Sequence, residues 1–210
     1  MGTRTKYKMT DEIIKVNSKT LHRVEALIDI PYAKVKAGDK GGFIESEENL
    51  SQDGNCWVGG NAQVFDKAQV FGNARVGGNA RVGGNANAFW HACIYGDAVV
   101  SGRAQVYGRA QVYGRAQVSG GAQVYGRAQV SGDAKAFDHA SVHDDAQMSG
   151  HAQVSGNAHV GGNAKVGGNA IVDGVSHVFG HAQVSGHAQV SGNTVVSGTT
   201  KLSGESGESA

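Results

Sequence analysis

Residues 104–130 read AQVYGRAQVYGRAQVSGGAQVYGRAQV, and the spacing in that line decides the fold. Valine returns every six residues, at Val106, Val112, Val118, Val124 and Val130. Alanine stands two places before each valine and glycine two places after it. Six is a multiple of the two-residue period of a strand but not of the helical period, so each Ala and Val point to one side of a short strand. The glycine and the polar residue after it turn a corner, where a positive φ is cheapest for Gly and tolerable for Asn or Asp. Strand and corner repeated three times make a coil of 18 residues. Stacked coils hydrogen-bond along the axis, so each side becomes a parallel sheet.

The track extends well beyond this line. From Val58 to Leu202 it has 25 positions, of which 20 are Val and the others Ala88, Ile94, Ala136, Met148 and Leu202. The small position begins with Cys56 and ends with Thr194 and Thr200, and the corner position is Gly except at Asp66, Trp90, Asp138 and Asp144. Nothing is inserted or deleted between residues 56 and 204. About eight coils at ~4.8 Å each predict a prism of roughly 38 Å. Each buried valine contributes about 1.5–3 kcal/mol relative to exposure, offset by the entropy of ordering its hexapeptide. Only stacking makes that sum favourable, so one coil alone is not expected to fold.

Composition narrows the functional classes. The chain of 210 residues has 33 Gly and a single Pro, which excludes collagen and fits poorly with a Pro-rich disordered linker. Its 19 Lys+Arg against 18 Asp+Glu give a formal charge of +1, no general case for nucleic acid. No stretch approaches the ~20 apolar residues of a membrane span, so no membrane partner is expected. The polar opening MGTRTKYKM lacks a signal-peptide core, from which a cytoplasmic location is expected. Cys56 and Cys93 occupy an inward and an outward slot respectively, and neither their spacing nor their neighbours suggest a disulfide or zinc.

Residues 1–41 read as an N-terminal β-hairpin cap: strands over Lys6–Val16 and Thr20–Ile30 flank the polar turn Asn17-Ser18-Lys19, and Pro31-Tyr32 ends the second. Such a cap would cover the sheet edges of the first coil. Residues 42–204 read as the β-helix, opened by an irregular coil in which Ile44 and Leu50 lie in phase with Cys56 and Ala62. Residues 205–210 read as a flexible acidic tail.

Residues 18 apart stack, so the outward columns follow directly. One holds Phe71, Phe89, Tyr107 and Tyr125, four consecutive aromatic rungs suited to offset stacking. This strip is the candidate interaction surface, for a partner subunit first and for a polysaccharide or nucleic-acid bases after it; Tyr95 lies over Tyr113 on a second side. Arg103, Arg109 and Arg115 turn successive corners, a ring instead of a patch, which counts against nucleic acid. Outward glutamines such as Gln105 and Gln123, or Gln111 and Gln129, form columns expected to bond amide to amide up the sheet. His91 and His139 are the candidates for a general base, with His151, His181 and His187 in like corners and His159 beside His177. No loop walls off a cleft, and no cofactor or metal motif accompanies these histidines.

The stretch Val35–Val58, VKAGDKGGFIESEENLSQDGNCWV, followed by GNAxV repeats, resembles a family of bacterial and prophage-encoded hexapeptide-repeat proteins of the YdcK type. The resemblance implies an all-β fold, a left-handed parallel β-helix with a small N-terminal cap. Such proteins are usually described as uncharacterised or as transferases. Handedness comes from this resemblance and not from the period. Hexapeptide acyltransferases prefer Gly directly after the lead aliphatic, which holds here at Gly77, Gly83, Gly161 and Gly167 but elsewhere gives way to Phe, Tyr or Ser. No catalytic residue carries over. The expected function is a structural or protein-interaction scaffold, the alternative a CoA-dependent acyltransferase with acetyl-CoA as donor and a histidine base at a protomer interface. A closed homo-oligomer is expected, joined end to end through the C-terminal coils or, as the rival arrangement, through the aromatic side.

Overall fold

The structure, a computed structural model, describes residues 5–204; the acidic tail expected at 205–210 lies outside the described residues. Strand β1 (Tyr7–Val16) pairs antiparallel with β2 (Lys19–Ala26). The link is tight because Asn17 and Ser18 both take positive φ, 46° and 64°, the conformation of a two-residue hairpin turn. Strand β3 (Lys40–Ile44) pairs antiparallel with β2 on one edge and parallel with residues 63–64 on the other. It thereby joins the hairpin to the repeat.

From Trp57 onward, two- to four-residue strands recur every six residues, each ending on or just past its aliphatic position. They stack into three parallel sheets. The first face continues β1-β2-β3 through residues 63–64 and 81–82 to 189–190; the second runs from 69–70 to 195–196; the third runs from 57–58 to 201–204. The register never slips: every rung pairs with the residue 18 further on, as in Gln105↔Gln123 and Val106↔Val124. The architecture is an all-β parallel solenoid of about nine turns, one more than the eight coils expected. The third face explains the difference, since eight steps of 18 residues separate the nine rungs between Trp57 and Lys201.

The interior is the column the spacing predicts. Val64, Val112, Val118 and Val154 are fully buried, as are the alanines beside them, while Gln111 faces out. Where Ser or Thr takes the alanine slot, its hydroxyl donates to the carbonyl three residues back: Ser176 to Asp173 at 2.6 Å, Thr194 to Ser191 at 2.6 Å and Thr200 to Ser197 at 2.8 Å. The polar atom is thus satisfied locally and the slot admits it.

The first turn departs from the expected phase. Ile44 pairs with Val64 and Leu50 with Val70, so both occupy valine slots and not the Cys56 and Ala62 slots. Two additional residues are absorbed between Leu50 and Cys56. An even insertion keeps every inward side chain inward, which is why the core continues across it.

Corners decide how the coils stay in register. Asp66, Asp138 and Asp144 have φ of 57–59°, in a slot otherwise filled mostly by glycine. Each carboxylate accepts the backbone N–H of the glycine one coil on: Gly84 at 2.9 Å, Gly156 at 3.2 Å and Gly162 at 3.0 Å. That bond offsets the cost of a left-handed conformation for a residue with a Cβ.

Candidate functional site

The second face carries the aromatic strip. Phe71 and Phe89 stack with centroids 5.0 Å apart and planes within 1°; Phe89 and Tyr107, then Tyr107 and Tyr125, follow at 4.9 Å within 8° and 2°. The His143 ring extends the stack to a fifth rung, 5.1 Å from Tyr125. Parallel rungs enforce this spacing, because a coil repeats at the distance at which aromatic rings meet face to face. The rings consequently use their faces on each other and present their edges outward. His143 leans over Gly161, where any Cβ would collide with its imidazole. Beyond it, His159 and His177 stack at 5.0 Å.

Trp90 flanks this strip, although the columns alone do not single it out as a contact residue. It takes a glycine corner with φ of 57° and remains 58% exposed. Its ring meets the edges of Phe89 and Tyr107 at 5.4 and 5.8 Å. The signal is present in the repeat, since Trp90 breaks the Gly-or-Asp rule of its slot.

Around the corner lies an open trough of about 750 Å³, between the column Arg109, Arg127, Asp145 and His181 and the glutamines of the third face. Arg127 pairs with Asp145 through two contacts, at 2.7 and 2.8 Å. Arg115 and Asp133 make the equivalent pair at another corner. Arg109 has no acidic partner among the described residues. The expected Gln amide ladders do not form among the described residues. Tyr107 instead donates to Gln123 at 3.2 Å and Tyr113 to Gln129 at 3.4 Å, while side-chain ladders appear at corners, as in Asn55 to Asn73 and Asn79 to Asp97. Corner side chains stack over a turn that fixes their direction, whereas Gln has enough torsional freedom to follow a neighbouring hydroxyl.

The histidine candidates do not converge. His91 occupies a corner between the second and third faces, and His139 a corner between the first and second. His139 is exposed, as expected of a corner. His91 is half-buried, because Tyr32 of the N-terminal segment lies edge-on to its ring at 5.5 Å and its hydroxyl shares a 2.8 Å hydrogen bond with Nδ1. Cys93, though in an outward slot, is also covered: Arg75 donates to its Sγ at 3.4 Å. Tyr95 joins this cluster, its hydroxyl pushed up to about 12 by burial first and then by the neighbouring Cys93. Cys56 and Cys93 are both free thiols. No group of three His, Cys, Asp or Glu among the described residues could hold a metal ion. No helix among them is long and apolar enough to cross a membrane.

Fold and surface together define a parallel β-solenoid with one aromatic face. Residues 68–84, 110–126 and 182–198 match the family described as YdcK Beta solenoid repeat. The chain is thus similar to that family over part of its length, within the repeat and at separated coils. No curated protein matches the chain.

Proposed function

We propose that the chain is a non-catalytic scaffold, a stiff solenoid that presents the aromatic strip of its second face for protein contact and closes into a homo-oligomer. The observation that carries this reading is the strip itself: four stacked aromatic rungs from Phe71 to Tyr125, with an exposed Trp90 beside them. Aromatic edges that are exposed at Phe71 and Trp90 and half-exposed at Phe89, Tyr107 and Tyr125 are a cost to a monomer and an asset at an interface, where Trp and Tyr are enriched. In the same reading the coils are left-handed, as the hexapeptide resemblance implies, and residues 1–41 act as a cap on the first coil. Contact through the aromatic strip is preferred over the end-to-end arrangement, because the strip has a specific geometry to offer a partner.

The competing reading, a CoA-dependent acyltransferase, has less support. Its two candidate bases lie on different corners, and His91 already spends Nδ1 on Tyr32. Two measurements test the proposal. Sedimentation of the full chain at tens of micromolar is expected to show an oligomer that Tyr107→Ser combined with Tyr125→Ser dissociates, and a wild-type monomer would refute it. Calorimetry with acetyl-CoA is expected to show no saturable heat; binding lost in His91→Ala or His139→Ala would favour the enzyme.

A further inference from the structure

Resting on that scaffold reading, we propose that the partner of the aromatic strip is a second copy of this chain, docked antiparallel about a two-fold axis that runs along the strand direction at the rung of Tyr125, with Trp90 as its anchor. Such an axis reverses the order of the rungs but keeps each column opposite itself. In the column of Tyr125, Phe71 then faces Phe179 of the second copy, and Tyr107 faces His143. Both Phe71 and Phe179 are exposed large hydrophobics in the isolated chain. In the corner column Trp90 faces Gly162, at the rung where Gly161 and Gly162 carry no side chain and only the His143 ring intrudes. A protruding indole thus meets the rung of smallest side chains, beside the His143 ring.

Charge selects this register over its neighbours. Arg109, without an acidic partner among the described residues, faces Asp145 of the second copy, two rungs above it in the same column. Arg127 faces itself, and its own Asp145, held through both oxygens, is the carboxylate that would also receive the incoming Arg109. Moving the axis one rung down sets Arg109 against Arg109, and one rung up sets it against His181. The broader distribution agrees: residues 66–127 hold seven Lys or Arg and two Asp, whereas residues 133–173 hold two Lys and five Asp. An antiparallel pair lays the basic half of one copy along the acidic half of the other, which steers association and fixes register. Isologous contact of this kind closes at two and does not grow into a fibre.

Trp90 supplies the independent observation. Every described corner in its slot is Gly or an Asp that bonds the next coil, except this one. Bulky residues at positive φ are outliers whose strain tends to collect at working surfaces. Glycine is the regular occupant, so Trp90→Gly is expected to fold at least as well as the parent while weakening self-association by roughly thirtyfold, the loss typical of a central aromatic. Unchanged association in this variant would remove Trp90 from the interface.

Cysteine cross-linking reads the register directly, in a Cys56→Ala, Cys93→Ser background. Tyr125→Cys is expected to cross-link to itself. Phe71→Cys is expected not to, yet to cross-link when mixed with Phe179→Cys. Self-linking of Phe71→Cys would mean parallel docking or an axis at the Phe71 rung, and either overturns the proposed register while leaving the scaffold reading intact. An oligomer with no link in any combination would place the contact elsewhere and refute the proposal. A wild-type monomer would sink both readings together.

Discussion

In the coils from Val58 to Leu202 the inward side chains are mostly aliphatic and each rests on its counterpart a rung away, whereas the segment from Lys6 to Leu50 reaches the first coil through buried polar groups. Lys6 is only 2% exposed and donates from Nζ to the Cys56 carbonyl at 3.0 Å and to Cys56 Sγ at 3.1 Å. The Tyr7 hydroxyl donates to the Leu50 carbonyl at 2.6 Å, and burial raises its ionisation well above the usual phenol range, followed by the nearby Glu47. Asn49, fully buried, accepts from the Glu45 and Ser46 amides and donates to the Asp66 and Ala68 carbonyls. Outside this core, Lys19 bridges Glu45 and Asp66 at 3.0 and 2.7 Å. A repeat is stabilised by repetition, since each coil supplies the next with the same surface. A junction between unlike elements has no such surface and needs directional bonds at specific atoms.

The largest break in this comparison comes from inside the repeat. Val118→Asp puts an unpaired charge in the aliphatic column and is expected to cost more than about 4 kcal/mol, enough to unfold the central coils. Thermal denaturation matching the parent would dismiss the valine column as the source of stability. At the junction, Asn49→Ala strands the Ser46 amide and the Asp66 and Ala68 carbonyls, while the Glu45 amide keeps the Val64 carbonyl at 3.1 Å. A loss of about 2–4 kcal/mol is expected, confined to one end: hydrogen exchange should quicken over residues 40–70 and stay slow over 100–190. Uniform acceleration would mean that junction and coils unfold as one unit.

Smaller changes sharpen the picture at corners. Asp138→Gly is expected to be near neutral, because relief of the left-handed backbone offsets the lost bond to Gly156. Asp138→Ala keeps the strain without the bond and should cost about 1 kcal/mol; urea midpoints of the two variants decide it. The smallest expected effect is of pH. Partial burial, then the neighbouring His177 and His143, lower the protonation of His159 below its ordinary value. The unfolded chain therefore takes up the proton first, so stability falls as pH drops through the ordinary histidine range near ~6.5 and levels off once the folded protein is also protonated. His159→Gln should flatten the dependence of the melting temperature between pH 7 and 5, and an unchanged slope would assign the effect to other groups.

Much of this was legible in the residues before any coordinates. The valine track placed every strand from residue 57 to 202, and the 18-residue column placed Phe71 over Phe89 over Tyr107 over Tyr125. Trp90 was readable as a break in its slot, yet its exposure and its contacts with Phe89 and Tyr107 were not, because the corner conformation sets the direction of the indole. Nor could the columns show that Tyr32 closes over His91, or that Arg75 covers Cys93, since these pairs join residues with no shared period.

The sequence by itself determined the solenoid: a strict six-residue period admits only side chains that alternate in and out, and the same rule applies at every coil. Tertiary structure alone decided the junction and the side-chain directions on the surface. Ile44 and Leu50 moved to valine slots because β3 pairs with residues 63–64, and the hydrogen bonds of Lys6, Tyr7 and Asn49 followed from that docking. Period propagates information only between residues that repeat, and contacts between unlike elements are fixed where the chain happens to bring complementary atoms together.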